Sequence, residues 1–382
     1  MAFLGRYRRE TGTTMPRVVT ISVARAASDA LKTEQTQHFS VRMHEEGTPV
    51  TWRRDIALKG PAQRAIEADL VVLDDWSQGL RSDPKEATRV ATRLGRRLYD
   101  TFLGASGSDY LAEHEPTALM IDADETALNL PWELMADTEG PLVLKWPVGR
   151  IVTTRTRPRP ERDPRDEDTT IAVLAVVDPS RDLSDVDSEL AALRRLGEMG
   201  YLRLDVLEGD AATHASLAGH VAATAYDVLH FSGHGGFLPG RPGLSGLQLA
   251  DGPLLTRSIV DLPWQKPPYL AITSACWSAR SAPDRRLATP RGGGNGVAAA
   301  FLSAGASGCL GFGWPVTVRA AALFVETFYG ALVDQENVGR AVLEARRATM
   351  QELWGRADLA GLGAVFYGDV GTAERRELQQ AE

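Results

Sequence analysis

The sequence predicts an α/β protein with a mainly parallel central sheet flanked by helices, and three observations carry that expectation. Residues 171–177 (IAVLAVV) form a continuous apolar run, the pattern of a strand buried on both faces. From there to residue 367, short apolar runs alternate with amphipathic stretches, the order that crossover connections between parallel strands require. The first 155 residues also mix strand and helix patterns, so an α/β region precedes this one.

Taken in chain order, residues 17–24 (RVVTISVA) and 69–73 (DLVVL) are β-branched apolar runs and read as strands. Residues 82–103 read as a helix. Ser82 or Asp83 caps it, Pro84 occupies its first turn, and Val90, Leu94, Leu98 and Phe102 repeat every four residues. A strand is expected at 118–121, then the polar loop DADETALN, the segment LPWELM at 130–135 and the segment VGRIVTT at 148–154. Residues 156–169 (TRPRPERDPRDEDT) combine prolines with dense mixed charge and no apolar periodicity. They predict an exposed linker between an N-terminal part, 1–155, and a C-terminal part, 170–382. After the 171–177 strand, residues 184–199 read as a helix, with Ser184 and Asp187 as a capping pair and Val186, Leu190, Leu193 and Leu196 on one face. Strands at 202–207, 227–232, 269–274 and 309–313 alternate with helices at 213–225 and 295–304, the latter capped by Asn295 and ended by Gly305. Helices at 319–333 and 338–353 follow, and 363–367 is expected to close the sheet.

Composition excludes several classes. A net charge of -8 argues against nucleic acid or an anionic membrane surface as partner, because phosphate binding needs a concentrated basic face. Two cysteines are too few for a disulfide framework or a thiolate-rich zinc site. The longest clean apolar run, 171–177, is far short of the ~20 residues that a membrane span needs. The opening MAFLGRYRRETG lacks the apolar core of a signal peptide, so a cytoplasmic location is expected.

Ligands of open α/β sheets collect at the carboxyl ends of the strands. Two predicted strand ends here carry reactive side chains: Ser232-Gly233-His234-Gly235-Gly236 and Ser274-Ala275-Cys276-Trp277-Ser278. If the two strands are parallel neighbours, His234 and Cys276 emerge at the same edge. A cysteine beside a histidine is suited to acyl transfer through sulfur. The amides of Gly235 and Cys276 are then candidates for stabilising an oxyanion. By residue type alone, a cysteine at a strand end is more often a small buried apolar residue, and a histidine in a glycine turn is more often structural. The joint placement favours chemistry. His230 reads as a satisfied core histidine and Cys309 as an inert buried thiol. Trp314-Pro315 reads equally as a pocket rim or a strand end.

These segments resemble a known family. HFSGHG (230–235), LQLADGPLL (247–255), TSACWSA (273–279) and GVAAAFLSAGASGCLGFGWPV (296–316) are similar, in that order, to blocks of the CHAT domain. That family belongs to the caspase-like cysteine peptidases, the clan of separases, gingipains and caspases. FVETFYGAL (324–332), GRAVLEARRAT (339–349) and AVFYGD (364–369) extend the resemblance, and NLPWELM (129–135) and PVGRIV (147–152) precede it.

The resemblance implies a caspase-like sandwich for 170–382, with the 1–155 region as a pseudo-caspase-like α/β unit packed on it. It also implies His234 as general base, Cys276 as nucleophile and the Gly235 amide in the oxyanion hole. Relatives that cut after Lys or Arg carry an Asp two residues before the nucleophile. Ser274 stands there, so the residue preceding the scissile bond is left open. Ser274, Trp277, Asp251 and Trp314 are candidate substrate-binding residues, Asp251 being a weak candidate for an acid supplied from elsewhere. The basic loop 280–294 reads as a solvated loop, with a mobile flap or an activation cleavage site as alternatives. No metal or other cofactor is expected, because no His/Cys cluster has zinc spacing and no loop has EF-hand spacing. The expected partners are a protein substrate, in the family's bacterial defence context a gasdermin-like pore former or another effector, and a protein that activates or inhibits the enzyme. An interaction module without turnover and a small-molecule acyl hydrolase or transferase are the alternatives.

Overall fold

A computed structural model describes residues 17–25, 36–77, 80, 83–124, 127–128, 130–152, 170–183, 186–238, 241–280, 296–335, 337–353 and 358–370. The expected linker 156–169, the caps at Ser82, Ser184 and Asn295, and nearly all of the basic loop 280–294 lie outside those residues.

The described residues open with an antiparallel meander, β1 (Val18–Arg25), β2 (Thr36–Glu45) and β3 (Thr51–Lys59). Helices α1 (Gly60–Ser77), α2 (Pro84–Phe102) and α3 (Gly104–His114) follow, then β4 (Ala118–Ala123) and β5 (Val148–Ile151). The C-terminal part begins with β6 (Ile171–Val177), α4 (Val186–Glu198), β7 (Leu202–Glu208), α5 (His214–Ala223) and β8 (Val228–Ser232). Next come the short strands β9 (Gly235–Gly236), β10 (Gly246–Leu249) and β11 (Gly252–Leu255), with α6 (Thr256–Val260), β12 (Leu270–Ser274), α7 (Val297–Ala304) and β13 (Gly308–Phe312). The last described elements are α8 (Val318–Gln335), α9 (Val338–Leu353), a one-turn helix Ala360–Gly363 and β14 (Ala364–Tyr367).

Among the described residues, eleven strands form one sheet in the order β3-β2-β1-β4-β5-β14-β13-β12-β8-β6-β7, and β11-β10-β9 form a second, small one. The strands β1, β4, β5 and β14 are mutually parallel, as are β13, β12, β8, β6 and β7. The two sets meet antiparallel at β13–β14. The mainly parallel α/β sheet is thus present, and it runs unbroken through both parts of the chain.

Local sequence explains the elements that matter. β6 is buried along its whole length because alternate residues face different layers. Val173, Ala175 and Val177 join the core under α4, α8 and α9, while Ala172, Leu174 and Val176 face the core under α5 and α7. In α2, Asp83 caps the helix by accepting the Lys85 amide at 3.0 Å, and Val90, Leu94, Leu98 and Phe102 lie on its buried stripe. At the end of α7, Gly305 takes the left-handed φ of 108° that stops the helix.

Two expectations are corrected. Residues 69–73 are not a strand but the middle of α1. Ile66 and Leu73 are buried while Val71 is 56% exposed, so the run is apolar on one helical face only. The buried Asp69 carboxylate bonds Arg93 and Arg97, one turn apart on α2, and locks the two helices together. Residues 363–367 do not close the sheet at an edge: β14 lies at its centre, between β5 and β13. The meander β2–β3 and the helix α3 carried no expectation.

Candidate active site

The expected edge forms. β8 and β12 are parallel neighbours in a register that pairs Ser232 with Ser274. His234 and Cys276 each follow two residues later, so both leave the sheet together. The Gly233 amide donates to the Ser274 carbonyl at 3.2 Å, and a Cβ on Gly235 would stand 2.6 Å from the Cys276 carbonyl oxygen. The two loops therefore touch through backbone, and glycine at 235 is what permits it. Gly235 faces Leu247 of β10, but the ladder bond there runs from the Gln248 amide to the His234 carbonyl at 2.9 Å. Gly235 and Leu247 are thus a non-hydrogen-bonded pair, and the Gly235 amide is not committed to that ladder.

The imidazole of His234 is half-exposed. Its Nε2 bonds Oδ1 of Asp182 at 2.8 Å, and Nδ1 has no hydrogen-bond partner among the described residues. Asp182 follows β6 in a turn with two non-glycine residues at positive φ, Asp178 at 40° and Arg181 at 55°. The Asp178 amide donates to the Ser232 carbonyl at 2.8 Å, and the Asp178 carboxylate accepts the Asp182 and Leu183 amides. That turn presents Asp182 to His234 from the neighbouring strand.

Cys276 is half-buried. Burial pushes its thiol up, while the amides of Val316 and of Cys276 itself, directed at the sulfur, pull it part of the way back. No hydrogen bond joins the His234 ring to the sulfur in this structure. Trp277 stands at φ 56°, and its indole N–H is buried without a partner among the described residues. The turn is pinned by Ser278, whose hydroxyl donates to the Thr273 carbonyl at 2.9 Å and accepts the Phe312 amide at 3.1 Å. Cys309 is fully buried, its thiol pushed up to about 12 by that burial.

Beneath the edge lies a closed polar cluster centred on Glu189 of α4. One carboxylate oxygen meets His230 Nε2 at 2.7 Å, and the other accepts from Ser232 at 3.0 Å and Ser274 at 3.3 Å. The Tyr329 hydroxyl meets His230 Nδ1 at 3.2 Å. His230 is the satisfied core histidine expected. Glu189 was missed, although a signal existed: it falls on the same helical stripe as Val186 and Leu193, where a carboxylate needs a buried partner. Asp182 and Val316 left no such trace, because each meets its partner only through the fold.

The remaining candidates scatter. Ser274 is turned inward to Glu189. Asp251 occupies the β10–β11 turn and accepts the amide and ring of His214 at the start of α5. Trp314 is buried after β13, its indole donating to the Leu359 carbonyl at 3.3 Å. Among the described residues, no group of three or more His, Cys, Asp or Glu side chains is placed to hold a metal, and no helix is long and apolar enough to cross a membrane.

The fold agrees with what the chain is similar to. Two crystal structures of the Saccharomyces cerevisiae separase–securin complex, at 2.6 and 3.0 Å, match with TM-scores of 0.56 and 0.58 at 10% identity. Each match covers 92% of this chain but 30% of the other, so the likeness is one of fold, to a part of that molecule. No curated protein matches. The fold is caspase-like. The family model of the CHAT domain matches residues 92–356, taking in both strand ends and the N-terminal blocks that lead to them, and the chain belongs to the CHAT domain family.

Proposed function

We propose that the protein is a cysteine endopeptidase that cleaves a partner protein with Cys276 as nucleophile and His234 as general base. The observation that carries this is the shared register of β8 and β12, which delivers a histidine and a cysteine to one sheet edge with their loops in backbone contact. On attack, the Cys276 sulfur bonds to the peptide carbonyl carbon and its proton passes to His234. The uncommitted Gly235 amide and that of Cys276 face the resulting oxyanion. The C–N bond then breaks as His234 protonates the leaving amine. Water, deprotonated by His234, hydrolyses the thioester and restores the thiol. Because burial holds the thiol protonated, the proton transfer is needed at the moment of attack, not before it.

The ring of His234 lies on Asp182 and has no bond to the sulfur, which supports an enzyme in a resting state that a partner or substrate engages. The family's context makes a defence or signalling effector, such as a gasdermin-like pore former, the substrate class to try. The same parted dyad favours the second reading, an interaction module without turnover. Residues 156–169 are proposed as the tether between the N-terminal part, 1–155, and the catalytic part, 170–382. The test compares wild type with Cys276→Ala on a diverse peptide library, with products read by mass spectrometry. Cuts present in wild type and absent in the variant support the peptidase. Cuts that persist in the variant, or none from wild type even with candidate activating proteins added, favour the module.

A further inference from the structure

Cys276 sits on a turn that opposes its own backbone preference. Trp277 holds a left-handed φ of 56°, which side chains of its size rarely adopt and which persists only where the surroundings over-determine it. Within the turn, the Ser278 hydroxyl supplies one restraint and the Arg280 amide, donating to the Trp277 carbonyl at 3.0 Å, another. Two more act just after it. The Ala279 amide donates to the Phe312 carbonyl at 3.1 Å, and the Tyr367 hydroxyl donates to the Ala279 carbonyl at 2.9 Å.

Tyr367 is itself held from the other half of the sheet. It pairs with Arg150 across β14 and β5, and the guanidinium stands 5.9 Å from the centre of its ring. Arg150 is fixed in turn: it is ion-paired with the buried Glu133 and donates to the carbonyls of Leu128 at 3.0 Å and Leu130 at 3.2 Å. The chain of contacts Glu133–Arg150–Tyr367–Ala279 thus begins in the N-terminal part and ends three residues after the cysteine.

We infer that Tyr367 is a positioning residue for Cys276, its hydroxyl holding the strained turn and the N-terminal Glu133–Arg150 pair holding Tyr367. The inference rests on Cys276 being the nucleophile. On this account, the N-terminal part completes the catalytic edge without touching substrate. Without the Tyr367 hydroxyl bond, the Trp277 turn relaxes, the sulfur loses its aim and becomes more open to solvent.

The test is Tyr367→Phe in the full chain, a change that removes one oxygen and leaves the ring packing. Two rates are read beside the melting temperature: peptide cleavage, and carbamidomethylation of each cysteine by iodoacetamide. The expected result is a kcat at least tenfold lower with KM within twofold. Cys276 alkylation should be at least threefold faster, while the fully buried Cys309 stays unmodified and so reports an intact fold. Tyr226→Phe, which removes a hydroxyl bond to Asp205 far from the turn, is the control and should leave both rates unchanged. Wild-type alkylation of Cys276 in Tyr367→Phe overturns the inference, as does the same change in Tyr226→Phe. If wild type cleaves nothing, it is the peptidase reading that fails, and the alkylation rates still decide whether Tyr367 sets the turn.

Discussion

A methyl group on Gly235 would stand 2.6 Å from the Cys276 carbonyl oxygen and 3.1 Å from the Ala275 Cβ, with backbone on the near side unable to give way cheaply. Gly235→Ala is therefore expected to part the two loops that carry His234 and Cys276. The cost is about 1–3 kcal/mol of stability by denaturant unfolding and ~100-fold in kcat/KM. Retained activity in that variant would remove Gly235 from the oxyanion site. The thiol of Cys276 carries a second expectation. Because burial raises it, its alkylation at pH 7 should be slower than that of an exposed cysteine and should climb with pH beyond ~8.5. A rate that is already level below pH 7 would mean a resting thiolate. At this scale His234 and Cys276 were legible, because each follows an apolar strand and stands in a block that resembles a family. Asp182 was not, because its contact with His234, 52 residues away, is made only by the fold and leaves no mark on local pattern; Glu189 left only its place on the apolar stripe of α4.

Elements were legible where pattern and end signals agreed. α2 shows both, an apolar stripe and the Asp83 cap, and Asp83→Ala should lower stability by ~1 kcal/mol in chemical denaturation. Stability equal to wild type would mean that the helix end is held by packing alone. The run at 69–73 misled because four apolar residues in a row satisfy a strand and a helix equally, and only the spacing of Ile66, Asp69 and Leu73 tells them apart. β2 and β3 alternate weakly, with charged residues facing solvent along the open edge, so their pairing could not be seen before β1 was there to pair with. β14 was found as a strand, but nothing in AVFY says that both its neighbours are far away in sequence.

The whole molecule is held at the seam between its two parallel sets. Hydrophobic clusters cross it, joining Val18, Ala118 and Met120 to the core under α8 and α9, and Trp314 and Met350 to the core of the N-terminal part. Glu133 and Arg150 form a buried ion pair there, so Glu133→Ala strands a guanidinium in the interior and should cost about 3–5 kcal/mol. A calorimetric loss near zero would mean that the charge finds water. The same interior sets the alkaline limit. Burial pushes both Cys309 and Tyr367 up to about 12, so the folded state favours their protonated forms. That stabilisation is complete below the ordinary values of ~8.5 and ~10 and is lost as pH climbs toward the raised ones, so the melting temperature should fall from pH ~8.5 upward. A flat profile to pH 11 contradicts it. The order of strands, which no local pattern encodes, has one more consequence. Among the described strands of the sheet, β14 comes last in sequence and occupies the sixth place of eleven, so on a ribosome β5 is finished while its neighbour has yet to be synthesised. At ordinary elongation speed, that wait lasts about 10–40 s. Through it the edge of β5 stands open. The Cys276 turn lacks its Tyr367 brace until that residue is made, so on the function proposed above a nascent chain gains a fully held thiol only when this strand is in place.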